Sequence, residues 1–140
     1  MKKFNFKFES ILNFRSHKVN LAKEDLAKVL KEKNKRYDII TDYEEEISTL
    51  LQYNLNDIAY LQARTYRILH IEDQIKKLVT EIKNIEEIEK VRKEKLAELL
   101  KEEKIMEKLK ENDFNQYKFD INKKDNEFID EIANQRSIRR

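Results

Sequence analysis

Residues 68–85 read Ile-Leu-His-Ile-Glu-Asp-Gln-Ile-Lys-Lys-Leu-Val-Thr-Glu-Ile-Lys-Asn-Ile, and this stretch decides the fold. Alternate steps of three and four residues meet only apolar side chains: Ile68, Ile71, Ile75, Leu78, Ile82 and Ile85. Apolar residues at this spacing lie along one face of an α-helix and form the seam of a coiled coil. The stretch therefore predicts a helix that packs against another helix along one stripe.

A second seam runs through the N-terminal third of the chain and is mostly apolar, with a polar break at Lys33 and Arg36. Its positions are Leu12, Arg15, Val19, Ala22, Leu26, Val29, Lys33, Arg36, Ile40, Tyr43, Ile47 and Leu50. The first seam has its own irregularity. Beyond Ile85 the apolar pattern slips to Ile88 and Val91, which predicts a local change of supercoil winding.

The composition supports helices and excludes most phosphate-binding and catalytic motifs. The chain has no glycine and no proline, and 41% of its residues are charged. Walker loops, dinucleotide fingerprints, nucleophile elbows and EF-hand loops all require glycine at fixed positions. The 30 basic and 28 acidic residues nearly cancel, which argues against disorder and against a general attraction to nucleic acid. We expect a protein that works by contact with partners.

The region between the seams predicts where the chain reverses. Asn54, Asn56 and Asp57 are the best turn and cap formers available without glycine. Phenylalanine and tyrosine gather near both termini, so a bend near residues 60–66 brings these two sets together and places Ile47 near Leu78. The predicted fold is all-α, a long antiparallel two-helix coiled-coil hairpin. We expect one domain over residues 1–140, with a first arm over about 5–53, a bend region over about 53–67 and a second arm over about 68–137.

No catalytic, cofactor or metal site is predicted. His17 and His70 are the only histidines and lie on different arms, whereas zinc needs three or four ligands. There is no cysteine to supply a disulfide or a thiolate ligand. No stretch approaches the ~18 uncharged apolar residues of a membrane span. Basic residues gather at both ends of the chain; they read as ordinary tails or, alternatively, as a docking site for an acidic partner. They are Lys2, Lys3, Lys7, Arg15, Lys123, Lys124, Arg136, Arg139 and Arg140.

Three sequence motifs resemble the flagellar FliJ family. The opening motif is Phe4-x-Phe6-x-Phe8-Glu9-x-Ile11-Leu12-x-x-Arg15, the middle one is Tyr66-x-Ile68-Leu69-x-Ile71-x-x-x-Ile75, and the closing one is Glu127-x-x-Asp130-Glu131-x-Ala133-x-x-Arg136. Each motif alone is degenerate, but together they stand at the matching places of a chain of the right length. The resemblance covers nearly the whole sequence.

This resemblance implies a non-enzymatic stalk component of the flagellar type III protein export apparatus. Such a protein is expected to lie in the cytoplasm at the inner face of the cell membrane. One end is expected to enter the ring of the export ATPase, and the other to reach the membrane export gate. Family members also bind certain export chaperones. The resemblance implies no cofactor and no nucleic acid.

The family's partner-binding regions carry over onto ten residues. The ATPase-facing end is expected to comprise Phe8, Leu12, Arg15, Asp130, Glu131 and Arg136. The gate-facing segment is expected to comprise Tyr66, Ile68, Ile71 and Ile75. Family members often place an aromatic residue where Arg67 stands in this chain, and we expect Tyr66 to substitute for it. The seam residues among the ten have a simpler explanation, since packing between the arms already accounts for their spacing.

Other functions compatible with the sequence are a generic coiled-coil scaffold, an export-chaperone-binding protein, and the virulence type III secretion counterpart. A nucleic-acid binder that uses the basic termini would show steeply salt-dependent binding. An enzyme is the least favoured class, because no chemical constellation is present.

Overall fold

The computed structural model describes residues 3–54 and 56–138 and confirms the all-α fold. Helix α1 spans Glu9–Gln52 and helix α2 spans Ile58–Ile138, 44 and 81 residues respectively. The two helices pack against each other as an antiparallel hairpin, and the described residues contain no strand. Neither helix has the glycine or proline that would interrupt it.

The chain reverses between the end of α1 at Gln52 and the start of α2 at Ile58, at the near edge of the predicted bend region. The Asp57 carboxylate accepts a hydrogen bond from the Ala59 amide at 3.0 Å, and the Asp57 carbonyl accepts one from the Leu61 amide at 3.0 Å. Asp57 is therefore the N-cap of α2. Because α2 is capped at Asp57, residues 58–67 of the predicted bend region belong to α2. Leu55 lies outside the described residues, and the organisation as one domain stays a prediction.

The chain forms two compact units, each built from both helices. The terminal unit comprises residues 1–20 and 98–140, and the bend unit comprises residues 21–97. In the bend unit, all of the predicted seam positions of α1 are half-buried, including the polar Lys33 and Arg36. The predicted α2 positions from Ile68 to Ile85 are buried or half-buried as well. The heptad pattern therefore identified the packed faces correctly.

The predicted slip of the α2 seam is wrong. Ile88 and Val91 are exposed, Val91 to 61%, whereas Glu89 is only 7% exposed. The heptad continues from Ile85 to Glu89 without interruption, because the α1 seam carries charge at the same level. The cations on α1 stabilise the Glu89 carboxylate in this part of the seam. They would not stabilise the apolar side chains of Ile88 and Val91 in its place.

A layer of ion pairs holds this part of the bend unit together. Lys33 Nζ lies 3.0 Å from Glu89 Oε2 and 3.7 Å from Glu86 Oε1. One turn along α1, Arg36 Nε donates to Glu81 Oε2 at 2.9 Å. Hydrogen bonds from Lys93 and then Lys33 hold the pKa of the Glu89 carboxyl below its ordinary value, and the hydrogen bond to Glu89 raises the pKa of Lys33.

The register of the helix pair is shown by a bidentate ion pair near the bend. Arg67 Nε and Nη2 donate to the two carboxylate oxygens of Glu46 at 2.9 and 3.0 Å. The expectation that Ile47 lies near Leu78 is therefore wrong. Arg67 lies opposite Glu46, the neighbour of Ile47, and Leu78 is about 16 Å further along α2 than Arg67, at 1.5 Å per residue. The error follows from a bend that lies nearer the N-terminus than the aromatic residues suggested.

In the terminal unit, Phe4 and Phe6 precede α1 and pack against α2. Phe6, Leu12 and Met106 form a buried cluster, with Phe4 and Phe8 packed against it. The N-terminal segment is held further along α2 by ring contacts, since the Phe4 ring lies 5.1 Å from the Phe114 ring and 5.4 Å from the Tyr117 ring.

Candidate partner-binding surfaces

The predicted ATPase-facing residues fall into two groups. Leu12 belongs to the buried cluster with Phe6 and Met106, and Phe8 packs against that cluster. Arg15 is half-buried and donates to the carbonyl oxygen of Glu102 at 3.0 Å, which ties α1 to α2. These three side chains pack within the terminal unit, so only part of their surface would be accessible to a partner.

Asp130, Glu131 and Arg136 lie together on the last turns of α2 and are exposed. None of the three makes a hydrogen bond or an ion pair with a described residue. Their charges are available to a partner. The structure does not bring them into contact with Phe8, Leu12 or Arg15, although all six belong to the terminal unit.

The tail of α2, residues 122–138, is exposed on every side. It nevertheless carries large apolar residues, with Phe128, Ile129 and Ile132 all among the exposed ones. Ile129, Ile132 and Arg136 are separated by three and four residues and line one shallow groove with Ala133 and Ser137. Apolar residues at this spacing form a stripe on one helix face. The tail therefore presents an amphipathic face that no described part of the chain covers.

Packing and exposure also separate the residues of the predicted gate-facing segment. Ile71 is 0% exposed and sits in the seam, and Ile68 and Ile75 are half-buried beside it. Tyr66 is 74% exposed. Arg67, which stands where the family often has an aromatic residue, is engaged with Glu46. Of these residues, Tyr66 is the one that a partner can reach without separating the helices.

Other apolar side chains around the bend are exposed too, and all but Leu69 lie outside the sequence motifs. Leu51, Tyr53, Ile58 and Leu69 are all exposed, and Ile58 lines a shallow depression together with Tyr66. A compositional signal could have found them, because residues 47–63 contain only one charged residue, Asp57, in a chain rich in charge. We call the exposed side chains Leu51, Tyr53, Ile58, Tyr66 and Leu69 the bend surface.

The described residues contain no group of three or more histidine, cysteine or acidic side chains that could hold a metal ion. Over the same residues, neither helix has a stretch apolar enough to span a bilayer. His17 and His70 are both exposed. Of the basic residues at the two ends, Lys2, Arg139 and Arg140 lie outside the described part of the chain.

These features define a helical-hairpin protein whose exposed apolar surfaces are suited to binding other proteins. The family model described as flagellar FliJ protein matches residues 4–140, and the chain belongs to this family. Neither the search of curated proteins nor the search of solved structures gives a match.

Membership in the FliJ family makes the chain a component of the flagellar protein export apparatus. The family is not known for enzymatic activity. The resemblance inferred from the three motifs is confirmed by a match over nearly the whole chain.

Proposed function

We propose that this chain is the non-enzymatic stalk component that binds the export ATPase ring and couples it to the membrane export gate. In this proposal the tail of α2 faces the ATPase and the bend surface faces the gate. The chain then works in the cytoplasm, at the inner face of the cell membrane. The observation that carries the proposal is the amphipathic tail, whose apolar stripe and flanking charges have no partner among the described residues.

The tail supplies both parts of a partner contact. Ile129 and Ile132 offer apolar surface that a partner would remove from water, at about 25 cal/mol per Å² buried. Asp130 and Glu131 flank this stripe and Arg136 continues it, and their charges would set orientation and specificity more than affinity. Phe8, Leu12 and Arg15 contribute indirectly, because they anchor α1 and the N-terminal segment against α2.

The bend surface offers the side chains that most often dominate protein interfaces. Tyrosine is enriched at binding hot spots, and Tyr53 and Tyr66 are both exposed there. Ile68, Ile71 and Ile75 support this surface from the seam below it. The gate contact therefore centres on Tyr66 and its exposed neighbours.

The coupling mechanism follows from an asymmetric element in a ring. One helical stalk contacts each ATPase subunit differently, because it has no rotational symmetry to match the ring. Each distinct contact favours one subunit conformation over the others and so influences the order of nucleotide turnover. A stalk that also binds the gate would couple that order to export.

ATP hydrolysis by the organism's export ATPase, measured with and without this protein, tests the ATPase contact. We expect the protein to raise the rate and promote ring assembly. Ile132→Asp should remove this effect, while Ile88→Asp, at an exposed apolar site outside both surfaces, should retain it. A well-folded wild-type chain that leaves the rate unchanged would favour the scaffold or chaperone-binding alternative.

The gate contact needs a separate measurement. Binding of the purified cytoplasmic part of the export gate should weaken at least tenfold with Tyr66→Ala, a loss of about 1.4 kcal/mol. Val91→Ala is the matched control, because Val91 is exposed on α2 away from the bend. Equal binding by the two variants would remove the bend surface from the proposal.

A further inference from the structure

One face of α2 continues past the point at which this chain stops covering it. In the terminal unit, the residues of this face are separated by four and seven residues in turn, a repeat of 11 residues. Residues at this spacing lie on one side of an α-helix. We call the six residues of this face the α2 stripe: Met106, Lys110, Tyr117, Ile121, Phe128 and Ile132.

The burial of the α2 stripe decreases towards the C-terminus. Met106 is buried, Tyr117 and Ile121 are half-buried, and Phe128 and Ile132 are exposed. The apolar pattern therefore continues along the helix, whereas its cover does not.

Two parts of the chain cover the stripe in succession. Helix α1 covers the beginning, where its first residue, Glu9, pairs with Lys110 at 3.0 Å. The segment before α1 covers the next part, where the Phe4 ring centre lies 5.1 Å from that of Phe114 and 5.4 Å from that of Tyr117. Beyond these contacts, no described part of the chain lies on the stripe.

The N-terminal segment and α2 form a groove where the cover ends. Lys3, Phe4 and Asn5 line this groove together with Ile121 of α2. Its volume of about 860 Å³ leaves room for several side chains of a partner. Because Phe128 is the next member of the stripe after Ile121, the groove leads into the uncovered part.

The spacing of the stripe indicates that a helix covers its uncovered part. An 11-residue repeat corresponds to 3.67 residues per turn, close to the 3.6 of a straight α-helix, so the stripe runs nearly straight along α2. Its members rise by about 6 Å and about 10.5 Å in turn, at 1.5 Å per residue. A second helix lying alongside offers side chains at the same intervals, as α1 does at the beginning of the stripe.

The uncovered part of the stripe has one acidic edge. Asp120, Glu127 and Glu131 each stand one residue before a member of the stripe, which places them on the same side of it. Glu127 and Glu131 make no hydrogen bond or ion pair with a described residue, and Asp120 accepts a hydrogen bond from Gln116 at 3.1 Å. Lys124 is the basic residue among them, so the edge is net negative.

The opposite edge lacks this charge. The residues that stand one position after Ile121, Phe128 and Ile132 are Asn122, Ile129 and Ala133. Two of them, Ile129 and Ala133, line the shallow groove of the tail. An apolar face with one acidic edge is complementary to a partner surface that is apolar and carries cations along one side.

We propose that the uncovered part of the α2 stripe binds an amphipathic helix of the export ATPase that carries lysine or arginine along one edge. This assignment rests on the proposed function, because it names the ATPase element that contacts the tail. The apolar side chains of that helix pack on Ile121, Phe128 and Ile132, and its cations face Glu127 and Glu131. The same acidic edge repels nucleic acid and anionic lipid.

Titration of the labelled full-length chain with the purified export ATPase, at roughly 0.05 M salt, tests the acidic edge. Glu127→Lys should weaken binding about tenfold, because an attraction becomes a repulsion. Glu111→Lys is the matched control and should bind like wild type. Glu111 is likewise an exposed carboxylate of α2, but it follows a stripe member and so lies on the other side of the stripe. Circular dichroism should show equal helix content in all three proteins.

Salt dependence gives a readout that a purely structural role of Glu127 would not change. The affinity of wild type should fall between roughly 0.05 M and roughly 0.5 M salt, because ions screen the attraction. The double variant Glu127→Lys with Glu131→Lys should show the opposite trend and bind more tightly at high salt. A double variant with the salt dependence of wild type would overturn the proposal.

Photo-crosslinking identifies the occupant directly. Benzoylphenylalanine in place of Phe128 should crosslink to the purified export ATPase. Mass spectrometry should locate the crosslink in a segment with apolar residues three and four apart and lysine or arginine beside them. A crosslink to an acidic segment of the ATPase, or to a second copy of this chain, would contradict the proposed helix.

The titration also separates this proposal from the proposed function. If Ile132→Asp abolishes binding and Glu127→Lys binds like wild type, the tail contacts the ATPase but its acidic edge does not, and only the basic helix is refuted. If wild type fails to bind the ATPase, or Ile132→Asp binds as tightly as wild type, both proposals are refuted.

Discussion

Two segments of α2 carry similar apolar patterns and meet different surroundings. Between Ile68 and Ile85 the apolar stripe lies against α1, and Ile71 is wholly buried there. In the tail, Phe128 and Ile132 keep helical spacing, yet every residue from 122 to 138 is exposed. Apolar periodicity therefore predicts a face that will be covered but does not say what covers it. In the first segment the cover is α1, and in the tail we propose that it is another protein.

The comparison predicts that substitutions in the two segments have opposite consequences, and the largest effect should come from the packed one. Ile71→Ala should lower the free energy of unfolding by about 2–5 kcal/mol, because it leaves a cavity in the seam. Urea denaturation followed by circular dichroism measures this change. Leu69→Ala, two residues away and exposed, should cost no more than about 0.5 kcal/mol. Equal losses for the two variants would contradict the assignment of the seam.

In the tail, Phe128→Ala should leave the free energy of unfolding within about 0.5 kcal/mol of wild type, because the side chain is 61% exposed. Its binding to the export ATPase should weaken about tenfold or more, as for an apolar anchor of an interface. A titration of labelled protein with the ATPase measures the affinity. If stability and affinity fall together, the tail is a packing element.

The charged layer makes the packed segment sensitive to pH. The folded-state pKa of Glu89 lies below its ordinary value of 4.5, so its stabilising contribution is complete above that pH and is lost as pH falls through the lower folded-state value. The melting temperature of wild type should therefore drop more between about pH 7 and about pH 3 than that of Glu89→Gln. Parallel pH profiles for the two proteins would show that the Glu89 charge contributes nothing.

Lys33 makes the stability of the packed segment depend on pH at the alkaline end. Its folded-state pKa is raised above the ordinary 10.5 by Glu89, so its contribution is complete below that pH and is lost as pH rises through the raised value. Lys33→Met should lower the melting temperature at neutral pH, because it takes one cation from the nearly buried Glu89. Replacing both residues by leucine should recover the loss, since a paired apolar layer can match a paired charged one. A double variant no more stable than the single one would argue against this account.

The smallest effect should come from the ion pair near the bend. Arg67→Ala removes the bidentate contact with Glu46, but both side chains are partly exposed and solvated. Exposed pairs contribute little, so the melting temperature should hardly change. Differential scanning calorimetry can compare it with Arg64→Ala, which loses a bond to the Tyr53 carbonyl. A large loss for Arg67→Ala alone would make this pair a main determinant of register.

Much of the fold could be predicted from local patterns, and the errors have physical causes. The heptads located the buried faces of both helices, and Asp57 was recognised as a possible cap. The slip to Ile88 and Val91 was wrong because single-helix periodicity ignores the charges across the seam at Lys33 and Arg36. The predicted register was wrong because it depends on the length of the bend, and no residue marks a turn strongly without glycine.

The candidate sites were harder to predict than the fold. Motif matching carried Leu12 and Ile71 as partner-binding residues, yet both are buried. The exposed Leu51, Tyr53 and Ile58 belong to no motif and became visible only when their exposure was known. Whether a seam position faces the other helix or a partner depends on tertiary packing, which periodicity cannot reveal.

We propose that the uncovered tail binds the export ATPase while the seam only maintains the hairpin. The most direct measurement is the ATP hydrolysis rate of the export ATPase as it is titrated with wild type, Ile132→Asp and Ile88→Asp, each checked for equal helicity. We expect stimulation by wild type and Ile88→Asp and none by Ile132→Asp. Equal stimulation by all three proteins would contradict it.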